Sequence, residues 1–394
     1  MRACEVSVRE NCGFCVFAFA LLLAACGGSS GGGGNAPAAT TTTPTTPTPR
    51  FAYVANFGVG NSANNTVSLY SIDATTGQLR PNGADVTVGM APASVAVDPS
   101  GKFVYVANQD ANNVSAFMID AATGALTAVP GSPFTAGSGP FCVTVDPSGK
   151  FAYVANRGFS TVSAFMIDAG TGALTPVLGS PFTAGANPAS VTVDPSGKFA
   201  YVANQNSANL SASTIDTVSA YTIDAGTGAL TPVPGSPFPA GANPTSVTVD
   251  PSGKFAYVAN ILSNNVSAFT IDATGALNAV PGSPFPGFFS PASVTVDPSG
   301  KFAYVANRDD ASVSAFTIGA TGALNAVPGS PFLTGTGPFC VIVDPSGKFA
   351  YTANQTSNTV STFTIDATGA LTPMGTPVQA GRGPVSIAMT KGSA

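Results

Sequence analysis

The sequence predicts an all-β fold, a closed seven-bladed β-propeller of four-stranded antiparallel blades in which a C-terminal strand completes blade 1. Three observations predict it. A six-residue phrase, Phe-Ala-Tyr-Val-Ala-Asn or a close variant, occurs seven times with starts 47 to 56 residues apart, a period typical of propeller blades. Six copies follow the turn sequence Asp-Pro-Ser-Gly-Lys, and the first does not. The chain then ends on residues 383–389, a strand pattern that no second strand follows.

One repeat unit, residues 188–235, shows how each blade is built. Its second strand is apolar on both alternating faces, which is typical of a strand covered on both sides. Stacked neighbouring blades provide that cover in a propeller. A Pro- and Gly-containing turn precedes this strand, and the prolines of the weak last strand suit an outer edge. The strands are predicted at 190–193, 199–204, 218–224 and 229–233, and the turn at 194–198.

A count of strands predicts how the ring closes. The first blade opens at Phe51 with its second strand and lacks an inner one. Residues 383–389 match the inner-strand pattern, so pairing them with the first blade leaves seven strands of each type and no orphan. A closed ring of blades has only short, protected edges. Blade 4 also carries residues 211–216, which repeat its own third strand and are expected to enlarge one surface loop.

Composition argues against several functional classes. Of the 394 residues only 8% are charged, and the net charge is −5. A nucleic-acid-binding domain needs clustered Lys and Arg, so no nucleic-acid partner is expected. The chain contains no His, and its only glutamates are Glu5 and Glu10. We therefore expect no metal site and no cofactor, and a monomer is the simplest assembly.

The N-terminus is expected to direct export. Residues 13–25 form an uncharged, largely apolar run of the length of a signal-peptide core. It ends in Leu23-Ala-Ala-Cys26, which resembles the lipobox of bacterial lipoproteins and implies cleavage before Cys26 and lipidation there. An ordinary secretory signal with an incidental cysteine is the alternative. Residues 26–49 are an uncharged Gly/Ser/Thr/Pro tether that cannot bury apolar surface.

These features predict a chain organised as signal peptide 1–25, tether 26–49 and propeller 50–391. The expected location is the bacterial cell envelope, at the outer membrane or on the periplasmic side. Membrane contact would be through the lipid anchor alone.

The repeated phrases also carry a family resemblance. The run Ser-Val-Thr-Val-Asp-Pro-Ser-Gly-Lys-Phe-Ala-Tyr-Val-Ala-Asn, followed by Val-Ser-Ala-Phe-Thr-Ile-Asp-Ala-Thr-Gly-Ala-Leu, resembles the seven-bladed propeller lactonase family. That family includes 6-phosphogluconolactonase-like proteins and carboxymuconate cyclases. The run is also similar to surface propellers with Tyr-Val-Thr-Asn repeats, which are mostly regarded as binding modules. The resemblance implies a propeller fold, and for the enzymes a site of His, Glu and Arg side chains at the mouth of the central channel.

Candidate ligand-binding residues are those that break the repeat. Six lysines belong to the recurrent turns, and three of the remaining cations lie in loops expected at one channel mouth. Arginines can grip a carboxylate or phosphate bidentately, and glutamines occupy the matching post-strand position in other blades. Ordinary solvated loop residues are the alternative. The candidates are Arg157, Arg308, Arg382, Gln109, Gln205 and Gln355, with Asp110, Asp309 and Asp310 as carboxylates that could activate water.

The other reactive side chains have structural interpretations. Thirteen of the aspartates recur in the blades, where a carboxylate accepts hydrogen bonds from turn amides. Cys142 and Cys340 take one strand position in blades that are not neighbours, so we expect no disulfide and interpret both as buried small residues. Phe288 and Phe289 stand in the loop entering blade 6, either as a partner site or as packing beneath that loop.

Three functions remain open. The leading hypothesis is an envelope-anchored, non-catalytic propeller that binds an anionic small molecule or an envelope protein, since no catalytic residue can be assigned without His or Glu. The alternative is a lactone hydrolase of 6-phosphogluconolactonase type acting on an anionic sugar lactone. A purely structural surface protein is the third.

Overall fold

The computed structural model of the chain describes residues 50–58, 65–205 and 216–391. The predicted signal peptide, the tether with Cys26, and residues 211–215 of the blade 4 repeat lie outside the described residues. Within those ranges every regular element is a β-strand. None of the described segments forms a helix long and apolar enough to cross a bilayer.

The strands form seven antiparallel sheets, each with the order inner, second, third and fourth strand. The predicted seven-bladed propeller is therefore confirmed. The inner strands, blade 2 to blade 7 and then blade 1, are Pro92–Val97, Pro140–Val145, Pro188–Val193, Pro244–Val249, Pro291–Val296, Pro338–Val343 and Pro384–Met389. The second strands are Arg50–Asn56, Phe103–Asn108, Phe151–Asn156, Phe199–Asn204, Phe255–Asn260, Phe302–Asn307 and Phe349–Asn354.

The outer half of each blade is made of shorter pieces. The third strands are Thr66–Ile72, Asn113–Ile119, Thr161–Ile167, Thr217–Ile223, Asn265–Ile271, Ser312–Ile318 and Thr359–Ile365. The fourth strands are Leu79–Pro81, Leu126–Ala128, Leu174–Pro176, Leu230–Pro232, Leu277–Ala279, Leu324–Ala326 and Leu371–Pro373.

Each third strand also pairs with a two-residue fifth strand, which the sequence analysis did not include. These are Val86–Thr87, Phe134–Thr135, Phe182–Thr183, Phe238–Pro239, Phe285–Pro286, Phe332–Leu333 and Val378–Gln379. Two residues are too few to show the alternation by which strands are recognised in a sequence.

A buried tyrosine on each second strand joins its blade to the next. Tyr153 is fully buried, and its hydroxyl donates to the Gly228 carbonyl of the following blade at 3.0 Å. The same bond occurs around the whole ring, including Tyr351 to Gly77 at 2.7 Å between blades 7 and 1. The receiving glycine has a positive φ, +75° at Gly228, and a Cβ added there would overlap the Phe151 ring. The phrase therefore recurs because it builds the interface between blades.

The ring closes as the strand count predicts. The last strand pairs with the first, with Val54 opposite Ile387. Beyond this pairing, the Phe51 amide donates to the Thr390 hydroxyl at 2.9 Å. In other blades the turn aspartate accepts the equivalent amide, as Asp146 accepts that of Phe151 in blade 3. Arg50 also forms a buried ion pair with Asp344 of blade 7. The closing blade thus replaces the missing turn with contacts of its own.

The recurrent aspartates act within the blades, as predicted. Asp98 accepts the amides of Lys102 and Phe103 at 2.8 and 2.7 Å. Asp120 accepts hydrogen bonds from Thr123 and Ala122, which lower the pKa of its carboxyl group below the usual value. Asp216 differs, because its carboxylate accepts the Asn243 amide.

An asparagine ends every second strand, and six of the seven leave one oxygen unpartnered. The Asn156 side-chain amide donates to Ser163 at 2.9 Å. Its Oδ1 is buried without a hydrogen-bond partner among the described residues. In blade 7 the equivalent Oδ1 of Asn354 accepts from Thr352 and Thr334. Blade 7 therefore satisfies an acceptor that the other blades do not.

Candidate functional site

Two kinds of loop meet at one end of the central channel. The residue after each second strand donates its amide to a carbonyl in the loop that enters the inner strand of the same blade. The Arg157 amide donates to Gly139 at 2.8 Å, and the Arg308 amide donates to Ser290 at 3.1 Å. The predicted sharing of one mouth by these loops is confirmed. We call this end of the channel the arginine mouth.

A β-bulge places a second ring of residues at the arginine mouth. In each inner strand the pairing register shifts just after its first residue, as between Pro140 and Cys142 in blade 3. The residue inside the shift, Phe141, has no pairing partner of its own. A bulge re-aims the side chain of such an extra residue, and here Phe141 and its blade 7 equivalent Phe339 line the channel.

These residues enclose a cavity of about 240 Å³, which we call the axial cavity. Five of its lining residues follow second strands, and four lie in the bulges. The lining consists of Phe57, Gln109, Arg157, Arg308 and Gln355, with Ala93, Phe141, Phe339 and Val385. It therefore combines two cations, two carboxamides and three phenyl rings, and contains no carboxylate.

The lining of the axial cavity carries positive charge and no carboxylate. Arg157 is half-buried, with its guanidinium over the Phe141 ring at 5.0 Å from the centroid. Desolvation by burial lowers the pKa of Arg157 from its usual value, although a guanidinium stays protonated. Neither Arg157 nor the exposed Arg308 forms an ion pair with another described residue. Two uncompensated cations at one cavity attract an anion.

The carboxamides add unsatisfied hydrogen-bonding capacity. The Oε1 atom of Gln109 is buried in the cavity wall and has no hydrogen-bond partner among the described residues. A buried polar atom left unpaired costs about 1–3 kcal/mol. Because this atom is buried from solvent, a ligand hydroxyl reaches it only after the Gln109 side chain reorients.

The remaining sequence candidates lie outside the cavity lining. Arg382 is exposed, and its backbone carbonyl accepts the Gly58 amide at 3.1 Å. Gln205 is buried in blade 4. Asp110, Asp309 and Asp310 are exposed. The structure thus brings together Arg157, Arg308, Gln109 and Gln355 and leaves the other five apart.

Two of the aspartates outside the lining have hydrogen-bond partners. Asp309 accepts the Ser290 hydroxyl at 2.5 Å, and Asp310 accepts the Ser312 hydroxyl at 3.0 Å. Neither is buried, and neither belongs to the lining of the axial cavity.

The three phenyl rings of the lining are not among the residues predicted from the sequence. Phe57 follows the second strand of blade 1, where five of the other blades carry Gln or Arg and blade 5 carries Ile261. Phe141 and Phe339 replace Ala, Thr or Val at the bulge position of the other blades. All three depart from the repeat, as the charged candidates do, so the sequence contains a signal for them.

The remaining residues discussed from the sequence serve packing or lie outside the lining of the axial cavity. Phe288 is buried against Phe316 with ring centroids 5.3 Å apart, whereas Phe289 is 63% exposed. Cys142 and Cys340 are free, as predicted, but they are half-buried and not buried as expected; desolvation raises the pKa of Cys340 to about 11. Cys142 is not a purely apolar residue, because its sulfur accepts the Val191 amide of the next blade at 3.4 Å. In the described part of the chain no three His, Cys, Asp or Glu side chains lie close enough to hold a metal ion.

The opposite end of the channel has a different character. A second cavity of about 450 Å³ opens there among the turns that precede the second strands. Its lining includes Val97, Val145, Val193 and Met389, with one cation, Lys391, and one aspartate, Asp98. One cation and one carboxylate give this lining a formal charge of zero, whereas the lining of the arginine mouth has two cations and no carboxylate.

The fold is a seven-bladed β-propeller, and a cavity lined by two arginines lies at one end of its axis. The chain belongs to the seven-bladed β-propeller lactonase family, whose model matches residues 32–145, 127–219 and 212–388.

Individual relatives agree with this family. A 6-phosphogluconolactonase of Formosa agariphila is 34% identical over 85 residues, a match that covers 22% of this chain and 23% of that protein. The periplasmic gluconolactonase of Pseudomonas aeruginosa has a similar structure, with a TM-score of 0.73, 20% identity, and coverage of 87% of this chain and 99% of that one. A candidate 6-phosphogluconolactonase of Bacteroides fragilis also gives 0.73, at 24% identity and 87% and 98% coverage. At these identities the two structures establish the fold.

Proposed function

We propose that this protein binds an anionic sugar lactone in the axial cavity and hydrolyses it to the open-chain acid. One observation carries the proposal: two arginines without carboxylate partners line a single cavity with two carboxamides and three phenyl rings. Membership in the lactonase family and the names of the relatives above support a lactone as the substrate class.

The reaction requires charge stabilisation more than proton abstraction. Water adds to the lactone carbonyl, the ring C–O bond breaks, the released ring oxygen takes a proton, and the product is a hydroxy acid. The negative charge that develops on the carbonyl oxygen is stabilised by a guanidinium positioned beforehand in a partly desolvated site. No carboxylate or imidazole lines the cavity, so the proposal assigns the rate enhancement to Arg157 and Arg308 and not to a general base.

Non-catalytic binding of the same anion is the second candidate. It is favoured by the sequence, since no His occurs and the two glutamates lie at positions 5 and 10. General acid–base catalysis contributes about 10²–10⁴-fold in many enzymes, and the lining offers no group for it. The two candidates share a ligand site and differ only in turnover.

A lactonase assay with matched arginine variants separates them. Purified protein is given gluconolactone and 6-phosphogluconolactone at pH 7, and acid release is measured above the spontaneous rate. We expect turnover that falls about 100-fold or more in Arg157→Ala or Arg308→Ala, the loss typical of an oxyanion-stabilising donor. Arg382→Ala, at an exposed position outside the lining, should keep its activity. Calorimetric binding without turnover would reject hydrolysis and leave the binding module.

We also propose that the protein is a lipid-anchored component of the bacterial envelope. The support is the sequence Leu23-Ala-Ala-Cys26 followed by an uncharged tether. Incorporation of labelled palmitate that disappears in Cys26→Ser is the expected result. Labelling that persists in the variant, or soluble export of the unaltered chain, would reject the anchor.

A further inference from the structure

The residues that follow the second strands form a mirrored series around the axial cavity. The inner strands contact one another in chain order and the ring is closed, so blades 6, 7, 1, 2 and 3 are consecutive. Their post-strand residues all line the cavity, and in that order they are Arg308, Gln355, Phe57, Gln109 and Arg157. An arginine stands at each end of the arc, a carboxamide lies inside each arginine, and a phenyl ring occupies the centre.

The two arginines lie on opposite sides of the channel. Blades 3 and 6 are as far apart as two blades of a seven-membered ring can be. Two like charges in one partly desolvated cavity repel each other, and no lining carboxylate separates or neutralises them. The arrangement is therefore complementary to two negative charges, one at each end of a ligand.

The middle of the arc suits a hydroxylated carbon chain. Gln109 lines the cavity on one side of Phe57, and its carboxamide can donate to and accept from a ligand hydroxyl. Gln355 offers the same carboxamide on the other side of Phe57. The phenyl ring between them provides apolar contact for the C–H bonds of the chain.

We propose that the axial cavity selects a polyhydroxylated acid with two separated anionic groups, one held by Arg157 and the other by Arg308. This inference rests on the proposed use of the cavity as the ligand site. A lactone with one anionic group engages one arginine through that group. A sugar acid charged at both ends engages both, each through a bidentate, charge-assisted pair.

Glucarate and gluconate test the inference as a matched pair. Both are six-carbon chains with the same internal hydroxyls, and they differ only in whether the second end is a carboxylate or a neutral CH₂OH. We expect calorimetry at low salt to show glucarate binding at least about tenfold tighter, since hydrogen bonds between charged groups are the strong ones. Arg157→Gln and Arg308→Gln should each bring the ratio of affinities close to one, and Arg382→Gln should leave it unchanged.

Each other outcome rejects the proposal. Equal affinity of the unaltered protein for the two acids, no binding of either, or a preference for glucarate that survives both glutamine substitutions would each overturn it. Unfolding midpoints of all variants show whether a loss reflects folding. Lactone turnover on the same preparations separates this inference from the proposed hydrolysis: turnover with equal affinities rejects only the two-anion ligand, and selective glucarate binding without turnover rejects only the hydrolysis.

Discussion

Replacing Gly228 with alanine tests the interface that holds the blades together. Gly228 has φ +75° and receives the Tyr153 hydroxyl, and an added Cβ would overlap the ring of Phe151. Left-handed backbone costs a non-glycine residue about 1–2 kcal/mol. The Phe151 ring is only 4% exposed, and overpacking of such a core adds about 1–3 kcal/mol. We expect Gly228→Ala to lower the free energy of unfolding by about 2–5 kcal/mol.

A second glycine isolates the steric part of this cost. Gly197 has φ +71°, and nothing lies within 4 Å of a Cβ placed there. Gly197→Ala should therefore lose only the backbone part, about 1–2 kcal/mol. Urea denaturation followed by tyrosine fluorescence measures both variants. Equal losses at the two sites would refute the claim that Gly228 is required by the neighbouring phenylalanine.

Three further predictions concern stability. Burial raises the pKa of all nine tyrosines. Because the folded-state pKa values are raised, the stability they contribute is present below about pH 10 and is lost above it. Phenolate absorbance should therefore rise together with unfolding, and gradual ionisation of the folded protein would contradict this. Thr390→Val removes the acceptor of the Phe51 amide and should lower the free energy of unfolding by about 1–3 kcal/mol in denaturant titrations. Substitution of an exposed fourth-strand threonine is the control and should have little effect. Equal effects would rule out a stabilising role for the closing contact. The double substitution Val154→Thr and Ala136→Thr gives blade 3 the two hydroxyls that donate to Asn354 in blade 7, here placed to donate to Asn156 Oδ1. A double-mutant cycle should then give a favourable coupling of about 1 kcal/mol. A coupling of zero would show that Asn156 Oδ1 already has a partner.

The fold could be predicted from the sequence because the same contacts recur seven times. The phrase around Tyr153 is repeated because each blade must donate to the next, and the recurrent turn is repeated because its aspartate accepts the same amides in each blade. The blade that lacks the turn revealed the closure. The fifth strands could not be predicted, because a two-residue pairing such as Phe134–Thr135 carries no periodic signal.

The site could be predicted only in part. Arg157 and Arg308 could be predicted because they interrupt a regular pattern at a loop position that the fold places at the arginine mouth. The separation of Arg382 from the lining depends on where a loop directs its side chain, which the repeat does not encode. Phe141 is visible in the sequence as a departure from the repeat, but the β-bulge that places its side chain in the channel is not.

A crystal structure of the protein with bound 6-phosphogluconate tests the central claim most directly, because it shows which end of the channel holds the anion. The account predicts one molecule in the axial cavity, with its charged groups at Arg157 and Arg308 and a hydroxyl within hydrogen-bonding distance of the Gln109 carboxamide. Density for the ligand at the opposite mouth among Val97, Val145 and Met389, or an axial cavity that stays empty at saturating ligand, would contradict it.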